Sequence, residues 1–155
     1  MDKSMNEKEA LFWSIALPGF GQLLNGKWVK GILFVVLEYL INIQAKFNEA
    51  IIASFRGNID LAIQLTDFQW LMFYPCLYFF AMWDAFKDVG GEKQPYAFLP
   101  FVFAAYFVTV GLIYSTELKI FGILLGPVWL PILFVIPGVA VGLLIQKVLQ
   151  KRIAR

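Results

Sequence analysis

Long apolar stretches separated by short polar joints run the whole length of the chain, and their spacing sets the expected elements. The first stretch, 10–26, is interrupted by Pro18, Gly19 and Gly21. Proline and glycine break helical hydrogen bonding, so this segment is expected to be a short or re-entrant helix rather than a clean span. Further stretches predict membrane-crossing helices over 31–47, 68–86, 95–115 and 120–146, close to the roughly 20 residues that a bilayer core requires. Pro127, Pro131 and Pro137 are expected to kink or split the last of these. Between 48 and 66 the apolar residues Ile51, Ile52, Phe55, Ile59, Ala62 and Ile63 recur at helical spacing. That pattern predicts one amphipathic extracytoplasmic helix, either lying on the membrane surface or covering a site within the bundle. The pattern as a whole reads as all-α: a polytopic integral membrane protein of about four transmembrane helices after a Gly/Pro-broken re-entrant or interfacial N-terminal helix. All of it forms one transmembrane domain over 1–155.

Composition sharpens this reading. Hydrophobic residues make up 60% of the chain and charged residues only 15%, against about 25% charged in soluble domains. A chain of this size has no interior large enough to hide that apolar excess, so the lipid bilayer is its expected partner. A net charge of +2 without a basic run gives no reason to expect nucleic acid.

Orientation follows from lysine and arginine near the ends of the spans. Lys147, Lys151, Arg152 and Arg155 place the C-terminus in the cytoplasm. Counting back, Glu117–Lys119 is outside, Lys87–Lys93 inside, the Lys46–Asp67 connection outside, and Lys27 and Lys30 inside. A re-entrant first segment keeps Lys3 and Lys8 inside as well, so both termini are expected to be cytoplasmic in a multi-pass protein of the plasma membrane. The mixed-charge segment before residue 10 lacks a signal-peptide pattern and is expected to be retained.

Candidate chemistry is sparse. There is no histidine, which removes the commonest general base and metal ligand. No metallohydrolase or nucleophile-elbow motif occurs, so no catalytic residues, metal or cofactor are expected. Asp84 and Asp88 lie one turn apart, which is too few acids for a cation site; Asp84 and Lys87 are spaced to pair. Cys76 stands alone beside Pro75 in apolar sequence and is expected to be an inert core thiol.

The most distinctive local pattern is Pro18-Gly19-Phe20-Gly21-Gln22, then Asn25-Gly26, then Lys30-Gly31 opening a hydrophobic helix. Pro18, Gly19, Gly21, Gly26 and Gly31 suit a tightly packed hairpin, and Trp28, Trp70 and Trp83 suit the interfacial aromatic belts. Over about the first 45 residues this pattern resembles small bacterial membrane proteins related to the two-transmembrane (TM2-like) domain family. Asn25-Gly26-Lys27-Trp28 stands where that family carries Asp-Arg-Phe. The resemblance implies a helical hairpin with a glycine-rich turn, and no catalytic residues.

Glu38 is the sharpest single residue, because an ionised carboxylate is costly inside a span. With Asn42 and Lys46 it is expected to form a polar stripe on one helical face. Three roles are open to Glu38: pairing with a neighbouring helix, facing a partner subunit, or serving as a proton or cation site. Tyr74 and Tyr78 are possible hydrogen-bond donors to it. The expected function is a non-catalytic accessory or scaffold subunit that packs against another integral membrane protein, or itself, through the glycine hairpin and the Glu38 stripe. The alternatives are a transporter or channel component built around Glu38, and a membrane-embedded lipid-modifying enzyme using Asp84 or Asp88.

Overall fold

The computed structural model describes residues 6–153; Lys3 and Arg155, both counted above as cytoplasmic charge, lie outside them. The chain is mostly helical: α1 (Glu7–Ala16), α2 (Phe20–Leu24), α3 (Trp28–Ala45), α4 (Phe47–Phe55), α5 (Ile59–Leu65), α6 (Phe68–Leu71), α7 (Tyr74–Asp88), α8 (Leu99–Ile113) and α9 (Gly126–Ile153). Among these, α3 and α9 are long and apolar enough to cross a membrane, with mean hydropathy 1.4 and 2.5; α8 is apolar but shorter.

The break in the first apolar stretch produces a helical hairpin. Asn6 caps α1 by accepting the Glu9 amide at 2.8 Å. The helix then runs antiparallel to α7, with Ala10 packed on Ala85 and Val89 and the Ile15 carbonyl reached by the Tyr78 hydroxyl at 2.8 Å. Gly19, at φ 103°, turns the chain, and α2 brings it back beside Ala81 and Asp84. The tip at 17–19 therefore lies level with the first turns of α7, beside Tyr74 and Tyr78.

From there α3, α7, α8 and α9 alternate in direction. Lys30 meets Asp84 at one end of α3, and the Asp67 amide donates to the Ala45 carbonyl at the other. Phe79 and Met82 of α7 pack on Ala104 and Val108 of α8. The closest pairing is α8 with α9: a Cβ on Gly138 would lie 2.8 Å from the Phe103 carbonyl oxygen, and one on Gly142 would lie 2.5 Å from Pro100 Cα. Side-chain-free positions let the two backbones touch. Lys8, Lys27, Lys30, Lys87, Lys93, Lys147, Lys151 and Arg152 consequently gather at one end of the bundle, and Lys46, Arg56 and Lys119 at the other.

Several expected boundaries shift for identifiable reasons. The single helix expected over 48–66 is two helices, because Gly57 adopts φ 77° and the Asn58 side chain starts α5 by accepting the Leu61 amide at 3.2 Å. The span expected at 68–86 is interrupted at Met72–Phe73, because Pro75 has no amide proton to donate one turn back. Its last stretch begins at Gly126 rather than 120, since Lys119–Ile120 and Ile123–Leu124 pair as a two-stranded hairpin. Conversely, α9 is not split: it continues through Pro131 and Pro137 for 28 residues, or about 42 Å.

Candidate functional site

Three local arrangements account for the polar and small residues singled out above. The first is at the basic end. Lys30 Nζ lies 2.7 Å from Asp84 and 3.4 Å from Asp88. Asp84 does not pair with Lys87, which instead lies 3.5 Å from Glu92. Both carboxylates are mostly buried and share one cation, so they fasten α3 to α7. Gln22 completes the cluster. It is fully buried, and its Nε2 donates to the Ala81 carbonyl at 2.8 Å and to Asp84 at 3.2 Å. Sequence reasoning assigned Gln22 no role. The available signal was an uncharged polar residue one position after Gly21, in a helix otherwise apolar.

The second arrangement is the glycine hairpin, which faces inward. A Cβ on Gly19 would lie 2.5 Å from the Gly31 carbonyl oxygen; one on Gly21 would lie 2.5 Å from Ser14 Oγ and 2.8 Å from Ala85 Cβ. Pro18, Gly19, Gly21 and Gly31 are buried against this chain's own elements, whereas Gly26 sits in an open turn with φ 73°. The buried members act as packing positions between α1, α2, α3 and α7 of this chain. Trp28 and Trp70 are exposed, 65% and 40%. Trp83 is instead half-buried, in an aromatic cluster with Phe86, Phe98 and Phe101.

The third is a central cavity of about 350 Å³. Glu38 lines it together with the tip of the hairpin (Leu17, Pro18), Tyr74 and Tyr78 of α7, and Pro127 and Pro131 of α9. Phe47, Ile51 and Phe55 of α4 form its cover. The cover is fastened to α9, for Trp129 Nε1–H donates to the Ser54 carbonyl at 3.3 Å and the Phe55 and Trp129 rings lie 4.6 Å apart. Among the described residues no lysine or arginine lines this cavity. The Tyr78 hydroxyl donates to Ile15 rather than to Glu38.

The polar stripe ends early. Asn42 donates to Asn48 Oδ1 at 3.2 Å, joining α3 to α4, but Lys46 turns out of the helix at φ 53° and no longer shares a face with Glu38. Cys76 is also displaced from its expected place in the core. It is exposed, on a broad outward-facing groove of about 990 Å³ bounded by α3, α6, α7 and α8.

Among the described residues no group of three or more Cys, Asp or Glu side chains converges as a metal site would require. Chemically, the central cavity offers one carboxylate, two phenols and an apolar wall. No family model, curated protein or solved structure matches this chain.

Proposed function

We propose that the chain is a multi-pass integral protein of the plasma membrane that works as a transporter or channel component, with Glu38 as its intramembrane polar site. The observation that carries this reading is the convergence on one cavity of Glu38, the broken helix tip at Pro18, and Pro127 and Pro131 of α9. An acidic side chain within a span is expensive unless it has work to do, and discontinuous helices mark binding sites in membrane proteins.

The membrane placement draws on the surface. Large apolar side chains such as Val29, Ile136 and Leu144 are 85%, 67% and 63% exposed, which suits lipid and not water. In this reading α3, α6 with α7, α8 and α9 make four spans, and α1 with α2 makes a re-entrant hairpin. Of the described cationic residues, eight lie at one end and three at the other, as named above, so the richer end is placed in the cytoplasm together with both described chain ends. Kinship with the TM2-like proteins is part of the same proposal, supported by the glycine-bearing turn between α2 and α3.

The test is reconstitution into sealed liposomes carrying entrapped indicators for protons and alkali cations. A flux present with the wild-type chain and lost with Glu38→Gln supports the reading. A wild-type flux that Glu38→Gln leaves intact counts against it.

A second reading, a non-catalytic accessory or scaffold subunit that stabilises or regulates a membrane complex, is favoured by the groove beside Cys76, which is wide and almost wholly apolar. It predicts a stoichiometric integral membrane partner after extraction in mild detergent. Its case is weaker, because the glycine hairpin and Glu38 both face this chain's own elements.

A further inference from the structure

We propose that the central cavity is a binding site for a compact organic cation with an apolar body, held by the Glu38 carboxylate and by the aromatic rings around it. This inference rests on the reading of Glu38 as a working intramembrane site and adds the class of ligand.

The wall chemistry makes the selection. Among the described residues Glu38 is the one acidic side chain lining the cavity, and no cationic side chain there neutralises it. An anion is repelled, and a neutral molecule leaves the carboxylate without a counter-charge. A metal ion is poorly served as well: calcium takes six to eight oxygen ligands and magnesium six, whereas the lining side chains supply one carboxylate and two phenols, with the Tyr78 hydroxyl already given to Ile15. Aromatic faces attract a cation that has shed its water. Tyr74 and Tyr78 stack with centroids 5.7 Å apart, and Phe47 lies 5.0 Å from Tyr74. A volume of about 350 Å³ falls within the range of small-molecule pockets. The rest of the wall is aliphatic and proline-rich, and would cover the apolar body of such a ligand.

The way in is also indicated. The α4 cover is short, 9 residues, and it ends at the left-handed turn of Gly57. Its opening requires release of the Trp129–Ser54 hydrogen bond together with the Phe55–Trp129 and Phe47–Tyr74 ring contacts.

The experiment measures equilibrium binding of radiolabelled benzyltrimethylammonium, and of its neutral carbon isostere neopentylbenzene, to the full chain in lipid nanodiscs, with empty nanodiscs as background. The expected result is saturable binding of the cation and not of the isostere, at least about tenfold weaker in Glu38→Gln, which corresponds to about 1.4 kcal/mol. Tyr74→Leu, which removes a ring and leaves the charge, should weaken binding by a smaller factor. Each variant is compared only after it elutes as a single monodisperse species; if Glu38→Gln does not, Tyr74→Leu and the cation-to-isostere ratio decide. Equal binding of the isostere, or no cation binding by the wild type, overturns the proposal. A wild-type ion flux that depends on Glu38, without binding of the organic cation, overturns this inference while leaving the transport reading in place. Absence of both removes the two together.

Discussion

Single residues divide into those that hold this chain together and those left free to act, and Lys30 belongs to the first group. It neutralises two mostly buried carboxylates while remaining 47% exposed itself. Replacing it with methionine leaves Asp84 and Asp88 facing each other without a cation. Solvent at the ammonium reduces the value of the pair, so the expected loss is about 1–2 kcal/mol, above a surface pair and below a buried one. Thermal unfolding in detergent should show Lys30→Met as less stable than Asp88→Asn, with partial recovery in the Lys30→Met/Asp88→Asn double variant. A double variant no better than Lys30→Met would mean that like-charge repulsion is not what the lysine relieves. Gly21→Ala tests the neighbouring contact, since its new methyl group meets Ser14 Oγ and Ala85 Cβ; overpacking of this kind costs about 1–3 kcal/mol. Residue identity alone was informative where the chemistry is costly, as at Glu38, and silent where geometry decides. The spacing of Asp84 and Lys87 suggests a pair, but the partner came from α3, fifty-four positions away in sequence. Gln22 could not be placed for the same reason: its importance lies in what α2 returns to.

At the scale of elements, what the sequence showed was the existence of helices, and what it hid was their ends. Apolar runs outlined α3, α8 and α9 because each is apolar over most of its length. The pair α4 and α5 read as one helix because Gly57 keeps the apolar spacing on both sides of the break. Prolines misled in the opposite direction. Pro131 and Pro137 stay within a continuous α9, which packs closely on α8 along Gly111, Gly138 and Gly142. Two tests belong here. Gly142→Ala places a methyl group against the backbone of α8 at Leu99 and Pro100, which cannot rotate aside as a side chain can. Thermal unfolding in detergent should show it to be less stable by about 1–3 kcal/mol. Trp129→Ala removes both the hydrogen bond to Ser54 and the ring packed on Phe55. Amide exchange over 47–65 should then rise while that of α8 and α9 is unchanged. A uniform rise would show α4 to be an integral part of the bundle and not a separately opening cover.

Under the proposed membrane placement the whole molecule turns on one topological question: whether the first apolar stretch would cross the bilayer or enter and return. Its α1 has 10 residues and spans about 15 Å, half the thickness of a hydrocarbon core. The Ala10–Ala85 contact at its start and the Ile15–Tyr78 hydrogen bond near its end fix it along the 78–85 stretch of α7, which Gln22 of α2 touches at Ala81 on the way back. A re-entrant hairpin therefore puts the start of α1 on the same side as Lys27, Lys87 and the end of α9. Single cysteines at Glu9, Asn58 and Lys147, each introduced with Cys76→Ser, separate the alternatives. With a membrane-impermeant maleimide applied to intact cells, Asn58→Cys should label directly, while Glu9→Cys and Lys147→Cys should label only after lysis. Labelling of Glu9→Cys from outside would make the first stretch a fifth span and bring Lys8 to the outer face. It would also dismantle the cavity as drawn, because the Leu17–Pro18 tip would no longer end level with Glu38. That outcome would remove the geometric basis for a site there, so the orientation of one short helix decides whether Glu38 faces a ligand or a neighbour.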